Sequence, residues 1–128
     1  MAYGGGAGDC IDITLPAAAD LSSYQYKFMT VDANGRGTPA TANTAVIAGI
    51  LQNKPAAADT GARIRVAGIS KLVFGAAANE AAFMTANGEG FGTPTAVAGC
   101  FTGAVVIAAV GGSADIGDVF VRGFTTPY

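Results

Sequence analysis

Residues 62–74 open with apolar Ile64 and Val66 alternating with charged Arg63 and Arg65. A period of two places the apolar side chains on one face and the guanidinium groups on the other, which predicts a half-buried β-strand. Gly68 interrupts the alternation and predicts a bulge or bend, after which the strand continues through Ser70, Lys71 and Leu72. Near the end of the chain Val119, Val121 and Gly123 take turns with Phe120, Arg122 and Phe124, a last strand ahead of a tail containing Pro127. The aromatic and β-branched run at 26–32 leads to Asn34-Gly35, a pair that tolerates the positive φ angles of a tight hairpin turn, and Asn87-Gly88 follows Phe83 in the same manner. Residues 52–61, with Pro55, predict a surface loop, and residues 75–83 a turn or a single helical turn. Roughly seven to nine short strands between Gly-rich turns predict a mainly all-β fold, a small β-barrel or sandwich with at most one short helix.

The two hairpin stretches repeat each other. Phe28 precedes Phe83 by 83 − 28 = 55 positions, and Pro39 precedes Pro94 by 94 − 39 = 55. Superposing the two Asn-Gly pairs requires two extra residues before the pair in the first copy and two after it in the second; residues 46–51 (VIAGIL) then parallel residues 96–101 (AVAGCF). The chain is therefore expected to traverse two related hairpin units. Residues 1–20 differ from the rest: a Gly-rich start leads into alternating Ile11, Ile13 and Leu15. They predict either a frayed terminus or an extended N-terminal arm or strand able to add to a neighbouring sheet edge, with residues 1–15 removable without unfolding a single β-rich domain over 21–128, which ends in a short tail.

Composition narrows the chemistry. The 128 residues carry 7 Lys+Arg against 9 Asp+Glu, a net charge of −2 that argues against binding nucleic acid through its phosphates. No histidine is present, which removes the usual general base and the commonest zinc ligand. Cys10 and Cys100 lack the spacing of a metal or redox motif and predict small, reduced side chains. Gly88, Gly90 and Gly92 have no following helix to complete a phosphate site, so they read as turn chemistry. Asp115 and Asp118 read as solvated turn acids, and Arg63 and Arg65 as a solvated strand face. Residues 95–112 are uncharged over nearly the length of a membrane span, but their glycines and alanines fit turned strands better. The expectation is no enzyme, no cofactor, no metal and no membrane partner.

Four stretches carry a family resemblance: DLSSYQYKFMTVDANGRG (20–37), IAGILQNKPAAADTGARIRVAGISKLVFG (47–75), ANEAAFMTANGEG (78–90) and SADIGDVFVRGF (113–124). In their order of hairpin, strand, second hairpin and closing strand they resemble the capsid decoration, or head cement, proteins of tailed bacteriophages. The resemblance implies a virion protein on the outer capsid surface that bridges major capsid protein subunits, commonly as a homotrimer, with no catalytic residues. Candidate partner-binding residues are Tyr3, Cys10, Ile11, Ile13 and Leu15 in the arm, Phe91 at the second hairpin, and Phe124 and Tyr128 in the tail. An alternative is a displayed module for host glycans, with Tyr3, Tyr24, Tyr26 and Tyr128 as its aromatic candidates.

Overall fold

The computed structural model describes residues 10–95, 98–108 and 111–125. Among them nine strands form one antiparallel sheet: β1 (Ile11–Pro16), β2 (Phe28–Val31), β3 (Gly37–Pro39), β4 (Gly49–Leu51), β5 (Gly61–Val73), β6 (Phe83–Ala86), β7 (Gly92–Pro94), β8 (Ala104–Val106) and β9 (Ile116–Arg122). Hydrogen-bonded neighbours run β3-β2-β4-β5-β9-β8-β6-β7, and β1 also pairs with β5. Residues 75–82 form bends, a bridge and a turn that feeds β6 at Phe83, not a helical turn. Isolated parallel bridges join Ala17 to Gly37 and Phe74 to Gly92, so the end of β1 reaches β3 and the end of β5 reaches β7. Each half of the sheet thereby curls toward a small barrel, in keeping with the all-β expectation.

The duplication is complete and runs through the pairing register. Met29↔Pro39, Thr30↔Thr38 and Val31↔Gly37 recur as Met84↔Pro94, Thr85↔Thr93 and Ala86↔Gly92. Ile50↔Arg65 and Leu51↔Ile64 recur as Val105↔Phe120 and Val106↔Val119, again 55 positions on. The first half of β5 thus plays in unit one the part that β9 plays in unit two. The second half of β5 corresponds to β1, here with an offset of 74 − 17 = 57, because Ala17 bridges Gly37 as Phe74 bridges Gly92. The two-residue difference between the copies therefore falls in the loop ahead of β2 and β6.

That register corrects two details of the sequence alignment. The hairpins match without a gap, Asp32 with Asn87 and Gly35 with Gly90. Asp32 Oδ1 accepts hydrogen bonds from the backbone N–H groups of Asn34 and Arg36, both at 2.9 Å; Asn87 Oδ1 accepts from those of Glu89 at 2.9 Å and Phe91 at 3.0 Å. Gly35 and Gly90 supply the left-handed residue, at φ 75° and 80°. Asn87 therefore opens the loop with its side chain, and Gly88 is not the tight-turn glycine. Likewise residues 46–51 correspond to residues 101–106, not 96–101, since β4 matches β8.

The bulge expected at Gly68 falls two residues earlier, at Val66, while Gly68 itself pairs in regular register with Val121. Asp12 pairs with Arg65 and Ile11 with Ala67, which skips Val66, and Gly68 takes φ 107°. The arm expectation changes at residues 11–16, because β1 pairs along the first half of β5 from Ile11 to Pro16. Ile13 and Leu15 pack with Ala17, Leu21, Met29, Leu51, Ala62 and Ile64 in one core cluster. Removing residues through 15 would strip a wall from that cluster. The second, larger cluster holds Leu72, Phe74, Met84, Val106, Val119 and Val121 of unit two together with Phe28, Ala40, Ile47 and Ile50 of unit one.

Candidate functional site

Register places four apolar residues in a row across unit two. Phe83 of β6 lies opposite Val105 of β8, Val105 opposite Phe120 of β9, and Phe120 opposite Ile69 of β5. Directly opposed residues of antiparallel strands project from the same face, so these side chains form one stripe about 14 Å wide. Phe83 keeps 41% and Phe120 45% of its surface exposed. Two exposed phenylalanines on one stripe mark a surface suited to covering another apolar surface.

The same row in unit one has a different fate. Phe28 lies opposite Ile50, Ile50 opposite Arg65, and Arg65 opposite Asp12. Phe28 and Ile50 are fully buried in the cluster shared with unit two. Arg65 and Asp12 complete the row with an ion pair at 2.8 Å, Asp12 also lies 3.6 Å from Arg63, and Arg65 donates to the carbonyl of Ile69 at 2.9 Å. The hydrogen bond to Asp12 raises the Arg65 pKa above its ordinary value against the opposing effect of burial, so the guanidinium stays charged.

Unit two covers Phe28 through a defined set of contacts. The Phe28 N–H donates to the Gly90 carbonyl at 2.9 Å, and the Val73 N–H to the Tyr26 carbonyl at 2.8 Å. The Lys27 ammonium sits 4.6 Å from the Phe91 ring centre and 4.8 Å from that of Tyr24, bridging the units by cation–π attraction. A Cβ at Gly103 would stand 2.4 Å from Ile47 Cγ2 and 3.0 Å from Phe28 Cε1, so this glycine permits the close approach of the two units. Beside the exposed row, Phe83, Thr102, Ala104, Val105, Arg122 and Thr125 line a shallow cleft of about 170 Å³.

The candidates named from sequence are scattered. Ile11 is exposed, Cys10 half-buried, and Ile13 and Leu15 are half-buried against their own core. Phe91 faces Lys27 of its own chain, Tyr24 shares that cation, and Tyr26 packs beside the larger cluster. Phe124 is exposed at 56%, and its N–H donates to the Ile47 carbonyl at 2.7 Å. Tyr3 and Tyr128 lie outside the described residues. Residues 95–112 contain β8, and no helix among the described residues is long and apolar enough to cross a membrane. Sequence reasoning missed Phe83, Val105 and Ile69 as a group; the alternation around Phe120 was visible, but its cross-strand partners were not.

No protein-family model matches the chain, and the comparison with curated proteins yields no match. Among solved structures, the chain is similar to the N base of head fiber gp8.5 in bacteriophage phi29, with a TM-score of 0.61 at 10% sequence identity. The likeness covers 88% of this chain and 94% of that one. At this identity the likeness is one of fold.

Proposed function

We propose that this chain is a structural protein of a phage virion, attached to the outside of the head, where it reinforces the shell by bridging major capsid protein subunits. The observation that carries the reading is the fold shared with the base of a phage head fiber over nearly the whole of both chains. The row with exposed Phe83 and Phe120 beside half-buried Val105 and Ile69 supports it, because such a surface suits an assembly contact better than a small-molecule site. The Gly-rich residues 1–9, which join the domain at Cys10 beside β1, are assigned the grip on the capsid. Repetition over a symmetric shell then multiplies a modest contact by avidity.

The purified chain is mixed with undecorated capsids of its own phage and imaged by electron cryomicroscopy. Ordered density at repeating lattice positions is expected, and bare capsids at saturating protein would overturn the proposal. A chain lacking residues 1–9 keeps β1, so it is expected to unfold at the wild-type temperature yet leave capsids bare. Undiminished binding by that truncation would remove the arm from the account.

A further inference from the structure

The chain carries two Asn-Gly pairs, Asn34-Gly35 and Asn87-Gly88, whereas its other asparagines stand before Thr44, Lys54 and Glu80. Glycine has no side chain to shield its backbone nitrogen, so in either pair that nitrogen can attack the carboxamide carbon of the preceding Asn. The Gly nitrogen gives its proton to solvent base and bonds to Cγ, the Cγ–Nδ2 bond breaks, and ammonia leaves behind a five-membered succinimide. Water then adds to one ring carbonyl. Cleavage at Cγ gives aspartate, and cleavage at the main-chain carbonyl gives isoaspartate, whose backbone runs through the side chain. Ring closure ties the carboxamide to the main chain and demands freedom at both. Each pair therefore reacts when its hairpin opens, and the rate follows the ease of local opening.

The bonds inside the two loops are the same. The Asp32 N–H donates to the Arg36 carbonyl at 2.9 Å and the Gly35 N–H to the Asp32 carbonyl at 3.1 Å; the Asn87 N–H donates to the Phe91 carbonyl at 3.0 Å and the Gly90 N–H to the Asn87 carbonyl at 3.2 Å. The surroundings differ. Ala33, Asn34 and Gly35 are exposed, and a Cβ at Gly35 would meet nothing within 4 Å. Arg36 reaches Asp59 at 3.1 Å, but an ion pair between groups this exposed adds little. The second loop is pinned to unit one, with Gly90 buried, its carbonyl accepting from the Phe28 N–H, and the Phe91 ring beneath the Lys27 ammonium. The reacting side chains differ as well. Asn34 sits at the tip, whereas the Asn87 carboxamide is half-buried, lies 2.5 Å from where a Cβ at Gly75 would stand, and holds its own loop through the two N–H groups on Oδ1.

We propose that Asn34 is a site of spontaneous succinimide-mediated modification in the folded protein, and that packing of the second hairpin against unit one protects Asn87 from the same reaction. Each event replaces a neutral carboxamide by a carboxylate, so the net charge becomes one unit more negative than −2. The isoaspartyl product also lengthens the main chain by one carbon at the exposed tip. The first hairpin thus records the age of the folded molecule, and the second does not.

Folded protein is aged at mildly alkaline pH in water enriched in oxygen-18, and its peptides are mapped by mass spectrometry, with electron-transfer fragmentation separating isoaspartate from aspartate. Asn34 is expected to convert at least about tenfold faster than Asn87, a factor set by the hydrogen bonds and the inter-unit contact that only Asn87 must break. In urea, where both hairpins are open, the two rates should agree within about twofold. Phe91→Ala, which removes the ring beneath Lys27, should speed Asn87 and leave Asn34 unchanged; Lys27→Ala replaces it if circular dichroism shows the first variant unfolded. An Asn87 that converts as fast as Asn34 in the folded protein, an Asn34 that stays intact while the unfolded chain converts, a rate gap that persists in urea, or an Asn87 rate that the folded variant does not move each overturns the proposal.

Discussion

Phe28 and Phe83 open corresponding strands, but one is fully buried and the other 41% exposed, which makes them a paired measurement of what unit two covers. Phe28→Ala empties a closed site in the shared cluster, and loss of the ring together with the cavity left behind costs about 3–5 kcal/mol. Phe83→Ala gives up only a partial burial at a site open to water, which costs about 1–2 kcal/mol. The expected gap is about 2 kcal/mol or more. A domain of this size is stable by about 5–15 kcal/mol, so both variants should remain folded enough to measure.

Urea unfolding at low micromolar protein reads the gap directly. With a slope of about 2 kcal/mol per molar, the midpoint of Phe28→Ala should lie about 1 M below that of Phe83→Ala, with slopes unchanged. Midpoints that agree within about 0.3 M would refute the claim that unit two seals Phe28 while Phe83 stays partly exposed.

Gly88→Ala should leave stability unchanged or slightly raised, because nothing lies within 4 Å of its Cβ position and its φ is not positive. Gly90→Ala should cost about 1–2 kcal/mol at φ 80°; the opposite order in thermal unfolding would restore Asn87-Gly88 as the tight turn. Thr85 is buried with no hydrogen-bond partner for its hydroxyl among the described residues, so Thr85→Val should add about 1 kcal/mol in urea unfolding; a loss of that size would mean the hydroxyl is satisfied. Asp20 accepts from the Ser22 hydroxyl at 2.7 Å and the Ser22 N–H at 2.9 Å, which lowers its pKa below the ordinary carboxylate value, the hydroxyl contributing most. A depressed carboxylate stabilises the fold above its ordinary pKa and loses that contribution as pH falls through the folded value. Ser22→Ala should therefore move the Asp20 titration upward by carbon-13 NMR, and an unmoved curve would exclude the hydroxyl as the cause.

What the sequence revealed depended on the range of the interaction. Ile64 against Arg65, and Val119 against Phe120, announced strands because alternation is local to the chain, and Gly68 announced an irregularity whose place, Val66, depends on the partner strand β1. The hairpins were visible but misaligned, since shared Asn-Gly letters outweighed a shared role: the side-chain oxygen that opens the loop belongs to Asp32 in one copy and Asn87 in the other. Residues 46–51 were matched wrongly because Ala and Gly recur throughout the chain, and the Ala-Gly of 48–49 corresponds to Gly-Ala at 103–104, while Thr102 replaces Ile47. The alternation of Ile11, Ile13 and Leu15 was seen as a strand, but its pairing with β5, about fifty residues on, is a long-range choice. The exposed row was hidden likewise, since Phe83, Val105 and Phe120 become neighbours only through register.

β5 belongs to both units, its first half paired with β1 and β4 and its second with β9. Neither unit can be cut free as an autonomous folding module, because a break at Gly68 would part the cluster in which Phe28, Ala40, Ile47 and Ile50 of unit one pack with Leu72, Phe74 and Met84 of unit two. The molecule should melt as one cooperative body with a single transition. The amides of β5 should exchange with solvent only when the whole chain opens, so the strand joining the two copies sets the kinetic lifetime of both.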